Sequence, residues 1–277
     1  MPLLVLPADA MSLQIGSAFR DGFERTVSPN GLLLMGIFLV FSAVNTVLSQ
    51  SASLAVQQYL QEFPVQSAQL GPASFGTGEA ALAVSLPLSV VSILTLITVF
   101  IAEALRIVGI RMFAPDETLS PAADSIRDGL PFAVLNGVAG GIIATVLTYI
   151  GLVLLVVPGV FIALSFFFAR QEIALQNKNF VDALRDSWAM TRGERLGLFV
   201  LGALLFVVSL IANSPATVLF FLSPLAALVV GMVTSAVTTV FGIAVVTRAY
   251  QQIKADGQEL DSGPTSADTT QGGVDLS

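Results

Sequence analysis

The chain has 277 residues, 55% of them hydrophobic and only 11% charged, and its mean hydropathy of +0.84 leaves too little polar surface to cover a water-soluble domain. It contains no Cys and no His, which removes disulfides, thiolate nucleophiles, histidine-based triads and the usual zinc and haem ligands. With 12 basic against 19 acidic residues and a net charge of −7, it has no basic stripe to displace counterions from phosphates, which speaks against nucleic acid as a partner.

Residues 1–10 read as an N-terminal extension and not as a secretory signal, because no basic residue precedes an apolar run that is broken at Pro2 and Pro7. Met11 is an alternative start. A spanning helix needs roughly 20 mostly apolar residues to cross a hydrocarbon core about 30 Å thick. Six stretches meet that requirement: 32–54, 80–105, 132–152, 154–175, 196–213 and 223–247. The expected fold is therefore all-α: a polytopic membrane protein with six transmembrane helices in three hairpins, its membrane domain covering 11–254.

Pro158-Gly159 is the one strong breaker between the third and fourth spans, so the tight turn is expected there, although apolar 153–157 leaves its position open. A single helix over 132–170 would be too long for the bilayer. The loop 50–79 is rich in Gln, Ser, Ala and Gly, and its segment 54–63 either lengthens the first span or lies along the surface. At the far end, 255–277 holds five carboxylates and, from Asp256 on, no base among Gly, Ser, Thr and Gln. Such a segment cannot bury enough apolar area to fold and is expected to be a disordered cytoplasmic tail.

The basic residues set the orientation. Arg20 and Arg25 precede the first span; Arg106, Arg111 and Arg127 fall between the second and third. Arg170, Lys178, Arg185, Arg192 and Arg195 surround the connection from fourth to fifth, and Arg248 and Lys254 follow the sixth. All lie on one side, and the opposite loops carry neither Lys nor Arg, which by the positive-inside rule predicts a multi-pass cell-membrane protein with both termini in the cytoplasm.

A short pattern recurs ahead of each hairpin. It reads Ala18-Phe19-Arg20-Asp21-Gly22-Phe23, then Ser125-Ile126-Arg127-Asp128-Gly129-Leu130, then Ala183-Leu184-Arg185-Asp186-Ser187-Trp188. Apolar residues at i, i+4 and i+8 form a stripe in each copy: Ile15, Phe19, Phe23; Ala122, Ile126, Leu130; Phe180, Leu184, Trp188. Ser120-Pro121 supplies an N-cap and first-turn pair for the second. Three repeat units follow, 11–113, 120–176 and 179–254, each a short interfacial amphipathic helix plus a hairpin, with Arg20, Arg127, Arg185 and Trp188 at the lipid headgroups. Any Arg-Asp pair between apolar residues beside a membrane would look similar, so coincidence is the alternative.

The segment Ala183-Leu184-Arg185-Asp186-Ser187-Trp188-Ala189-Met190-Thr191-Arg192-Gly193-Glu194-Arg195, followed by Leu198-Phe199 and preceded by Val157-Pro158-Gly159-Val160, resembles a large group of uncharacterised six-helix integral membrane proteins. That group includes the membrane domain attached to some glycerophosphodiester phosphodiesterases. The resemblance is strongest over 156–206, and Glu194 stands where the group usually has Asn. It implies the fold and a membrane location without catalytic activity, since the phosphodiesterase barrel has no counterpart here. The lysine-poor, Asp-rich composition resembles that of halophilic, haloarchaeal proteins, although an ordinary protein with an acidic tail would show the same balance.

Charged groups inside a bilayer are functional candidates, and Glu103, Arg106, Arg170 and Glu172 come closest, near the cytoplasmic ends of the second and fourth spans. They either pair between helices or sit in the interface with the arginines snorkelling. Asn45, Asn136 and Asn213 read as interhelical hydrogen-bonding groups, and Gly137, Gly140, Gly141 and Ala144 as a close-packing face. Asp116, Glu117, Asp124 and Asp128 form a carboxylate-rich loop that solvation explains without a metal. No span carries a carboxylate at mid-depth, so no catalytic residue, cofactor or metal is expected.

The expected function is a non-catalytic membrane scaffold or accessory component that contacts membrane lipids or a membrane protein partner. The alternative is a transporter or permease for a small solute or lipid. That alternative requires polar groups converging on a cavity inside the membrane.

Overall fold

The computed structural model describes residues 13–62, 82–114 and 126–262. Among these, every regular element is a helix: α1 (Ile15–Thr26), α2 (Pro29–Glu62), α3 (Leu88–Phe113), α4 (Leu130–Leu154), α5 (Val156–Ser165), α6 (Ala169–Gln176), α7 (Phe180–Met190), α8 (Arg195–Phe220) and α9 (Pro224–Ser262). Six stretches are long and apolar enough to cross a membrane: Pro29–Leu60, Leu88–Phe113, Leu130–Leu154, Val156–Gln176, Arg195–Phe220 and Pro224–Gly257. The chain is a multi-pass, all-α membrane protein. Large apolar side chains such as Val40, Ile93, Leu135 and Ile211 point outward from these spans, as expected of helices whose outer face meets lipid.

Three successive pairs, α2 with α3, α4 with α5 and α8 with α9, pack side by side as antiparallel hairpins, and α9 also packs against α1, α2 and α3. Its Val240, Ala244, Val245, Ala249 and Tyr250 are fully buried. The core is thus built around the last helix.

α1 enters the assembly more closely than a helix lying free on the membrane surface. Its buried face is Ala18, Gly22 and Thr26, and a methyl group built on Gly22 would lie 2.5 Å from Val245 Cγ2. Small residues allow that approach, while Phe19 packs edge-on against Phe241 at 5.7 Å and Phe23 stays 59% exposed. The aromatic stripe read from the sequence therefore flanks the contact and does not form it. The chain then turns sharply into α2, where Ser28 Oγ caps Gly31 N–H at 3.2 Å and Pro29 occupies the first helical position. α7 follows its expected stripe better, burying Leu184 together with Ala183 and Ser187. Most of the second short segment, including Ser120-Pro121 and Ala122, lies outside the described residues, as does the extension 1–10 with Met11.

The turn between the third and fourth spans is at Leu155, the single extended residue between α4 and α5, with φ −160° and ψ 146°. Pro158-Gly159 lies inside α5. A proline in the first turn of a helix gives up no intrahelical hydrogen bond. Gly159 faces Gly151, where a methyl built on Gly151 would come within 2.7 Å of Gly159 Cα. The pair marks a close helix crossing, one turn past the bend.

The fourth span is also interrupted, by a turn at 166–168 that separates α5 from α6. Ser187 Oγ serves this break, donating to Ser165 O at 2.9 Å and accepting from Phe168 N–H at 3.1 Å. Segment 54–62 continues α2 as one of the two expected alternatives. α9 runs on to Ser262, so the expected tail begins later than 255, just ahead of Gly263-Pro264, where a proline disfavours further helix.

Candidate functional site

Glu103, Arg106 and Arg170 converge. Arg170 Nε donates to Glu103 Oε1 at 2.7 Å, and Arg106 NH1 lies 3.5 Å from Glu103 Oε2. The Glu103 side chain is 4% exposed, whereas Arg170 and Arg106 keep 39% and 44% of theirs. Room for the carboxylate comes from Gly137 on α4, where a methyl would sit 2.6 Å from Glu103 Oε1. The Gly-rich face expected to pack helices thus also admits a buried acid, whose charge two arginines satisfy from the wet side.

Glu172 belongs to a different group. Its Oε1 accepts from Tyr250 OH at 2.8 Å and its Oε2 from Lys178 Nζ at 2.5 Å. Lys178 also reaches Asp186 Oδ2 at 2.7 Å, and Lys254 Nζ donates to Tyr250 OH at 2.9 Å. This chain ties α6, α7 and α9 at their charged end. Burial disfavours the charge on Lys178, but its hydrogen bonds to Asp186 and Glu172 outweigh that loss and leave its pKa above the ordinary lysine value.

Arg111, assigned from the sequence to a loop, is 93% buried within α3, its relative exposure being 7%. Its guanidinium donates to Ala174 O (2.8 Å), Ile126 O (2.8 Å), Asp128 O (2.6 Å) and Asn177 Oδ1 (2.8 Å). Those acceptors close the start of α4 against the end of α6, in a fork geometry that arginine alone provides.

Of the residues expected at lipid headgroups, Arg20, Arg127 and Arg185 are exposed, and Arg20 forms an i,i+4 pair with Glu24. Trp188 is partly buried, packed on Phe161 at 5.6 Å and Phe166 at 5.8 Å. The Arg195 guanidinium lies 4.1 Å over the Phe161 ring and 5.4 Å over Trp188. Among the described residues, no group of three or more acidic side chains could hold a metal ion. Asp116, Glu117 and Asp124 lie outside those residues.

At the opposite end the helices part. Among the described residues, a cleft of about 1160 Å³ is lined by α2, α8, α9 and the short turn joining the last two. α2 and α8 each pack along α9 but hardly touch each other, so among the described residues α9 is the floor and the side away from it is open. α2 contributes Ser42, Asn45, Thr46, Ser49, Ser53 and Gln57; Asn213, Thr217 and Ser235 face them from α8 and α9. None of the described lining residues is charged. Ser42 lies 13 positions after Pro29, roughly 20 Å along the helix axis, which takes the cleft from the end opposite the basic residues to about mid-membrane.

Several of these polar groups satisfy one another. Asn213 donates to Ser209 O at 2.8 Å and accepts from Thr234 Oγ1 at 2.9 Å, acting between helices as expected. Asn136 likewise links α4 to α7 by accepting from Phe180 N–H at 3.0 Å. Asn45 behaves differently: it is exposed to the cleft and its carboxamide has no partner among the described residues. The recurrence of polar residues at 42, 46, 49, 53 and 57, a helical spacing inside a span, was the sequence signal for this face.

Compared with known proteins, residues 13–253 match a family described as a domain of unknown function, DUF7847. No curated protein and no solved structure matches the chain.

Proposed function

The chain belongs to the DUF7847 family, and from that premise, which supplies no activity, we propose that it is a membrane carrier or permease-type protein that receives a polar or amphipathic molecule in the cleft between α2, α8 and α9. The observation that carries this reading is the Asn45 carboxamide, without a partner among the described residues, in a cleft reaching mid-membrane whose described lining is polar and uncharged. A carboxamide left facing hydrocarbon costs several kcal/mol, roughly 2–7 on transfer scales, so the cleft calls for water or a ligand. A non-catalytic role is supported by the saturation of both deeply buried carboxylates, Glu103 and Glu172, by cations and a tyrosine hydroxyl.

The reading includes an orientation. The clusters around Glu103, Arg111 and Glu172 share one end with the described basic residues, and the positive-inside rule assigns that end, with both termini, to the cytoplasm of a cell membrane. Arg20, Arg127 and Arg185 then sit at the inner headgroups, and the surrounding lipids are partners in any reading.

The scaffold reading keeps one specific observation in its favour: Ala227, Gly231 and Ser235 form a row of small residues along the floor, the type of surface on which a partner helix packs closely. Cysteine accessibility separates the two. Because the chain has no cysteine, Asn45→Cys and the lipid-facing Val40→Cys can be made singly and treated with a small charged thiosulfonate reagent in reconstituted vesicles. Modification of Asn45→Cys but not Val40→Cys is expected. Equal inertness of both would remove the hydrated cleft, and with it the carrier reading.

A further inference from the structure

We infer that the occupant of the cleft is a membrane lipid with an uncharged, hydroxyl-rich headgroup, which enters sideways between α2 and α8 from the leaflet opposite the charged end. This rests on the cleft being a ligand site, and it names the ligand class.

Charge is the first argument. No described lining residue is charged, and the described basic and acidic clusters lie at the other end of the spans. A phosphate or ammonium group would be taken out of water there without a counter-charge. A sugar or glycerol headgroup asks only for neutral donors and acceptors, which Asn45, Gln57, Ser42 and Ser235 present.

Shape is the second. A site for a free water-soluble solute encloses most of its ligand, typically in about 300–1,000 Å³. Here the volume is about 1160 Å³, the side away from α9 is open among the described residues, and Leu54, Phe220, Leu228 and Met232 stand beside the polar groups. That is room for a headgroup against the hydroxyls with the first part of its chains against the apolar walls, the tails remaining in the membrane.

The test is native mass spectrometry of the full chain in detergent micelles with three probes offered separately: monoglucosyl diacylglycerol, dioleoylphosphatidylglycerol and free glucose. The variant Asn45→Leu removes a carboxamide that bonds to nothing in the described protein; Ser235→Leu fills the floor and serves as an independent second variant, and thermal unfolding confirms that each is folded. One glycolipid per chain is expected to survive collision energies that strip phosphatidylglycerol, with affinity reduced about tenfold in Asn45→Leu, the equivalent of losing one or two hydrogen bonds. Variant-sensitive binding of phosphatidylglycerol, or of glucose alone, would overturn the neutral-lipid assignment while leaving the cleft a ligand site. Binding of no probe in a variant-sensitive way overturns the assignment too, and variant-sensitive dimers would overturn the cleft reading as well, because a second copy would fill the groove.

Discussion

Arg170 Nε lies 2.7 Å from Glu103 Oε1 across 67 positions of sequence, joining α6 to α3 beneath the Gly137 face of α4. Removing the acid in Glu103→Ala leaves Arg170 and Arg106 facing each other without a counter-charge. A fully buried pair broken in this way costs about 3–5 kcal/mol. Both arginines are partly wet and can turn to water, so a loss of about 2–3 kcal/mol is expected. Thermal unfolding in detergent should show it, with glycolipid binding at the cleft unchanged in the folded fraction.

The crossing of Gly151 and Gly159 is equally specific. A methyl on Gly159 would meet Leu152 N at 2.5 Å, a backbone atom that cannot swing aside. Gly159→Ala should therefore destabilise the α4–α5 hairpin by about 1–3 kcal/mol, the usual range for overpacking. A melting temperature equal to that of the parent would show that the hairpin adjusts without cost.

Hydropathy and charge placement made the six spans, their pairing into hairpins and the sharing of one end by the basic residues legible, because each depends on composition summed over many positions. What a single contact decides was not legible. Pro158-Gly159 has the chemistry of a turn and also that of a helix start with a close crossing, and only the partner Gly151 distinguishes them. Glu103 and Glu172 look alike beside their arginines, yet Gly137 admits one between Arg106 and Arg170, while Tyr250, distant in sequence, claims the other. The cleft depends on α2 and α8 standing apart, a property of neither sequence segment alone, and Asn45 read by itself looks like one more interhelical group.

Arg111 should tolerate no substitute. In Arg111→Lys one ammonium cannot span four acceptors that now surround a planar fork. Each buried acceptor left unpaired costs about 1–3 kcal/mol. The expected result is a protein of much reduced abundance in the membrane, cleaved by limited proteolysis near 126–128, where the parent resists.

The Lys178 bridge predicts a pH dependence on the alkaline side. Because its pKa is raised in the folded protein above the ordinary 10.5, its contribution to stability is fully present below 10.5 and is lost as pH climbs through the higher folded value. Lys178→Met should melt lower than the parent at neutral pH, and the difference should narrow above pH 10.5. A difference that stayed constant through that range would assign the effect of Met to packing.

Sidedness can be read from two single cysteines. Gln57→Cys at the cleft end should react with an impermeant maleimide added outside intact cells, and Arg185→Cys only after lysis. The reverse pattern would invert the orientation and place the cleft toward the cytoplasm.

The central helix of this protein is also the sixth and last of the described spans in chain order. α9 is the surface on which α1, α2, α3 and α8 come together, and its Tyr250 completes the coordination of Glu172. Until the ribosome has delivered that helix, α1, α2 and α8 lack the surface that joins them, and the acid on α6 lacks one of its partners. The α3–α4–α6 contacts can form earlier, but α1, α2 and α8 cannot take their final places until α9 is inserted, and in that interval insertion factors and quality-control proteases meet the chain in its most vulnerable form.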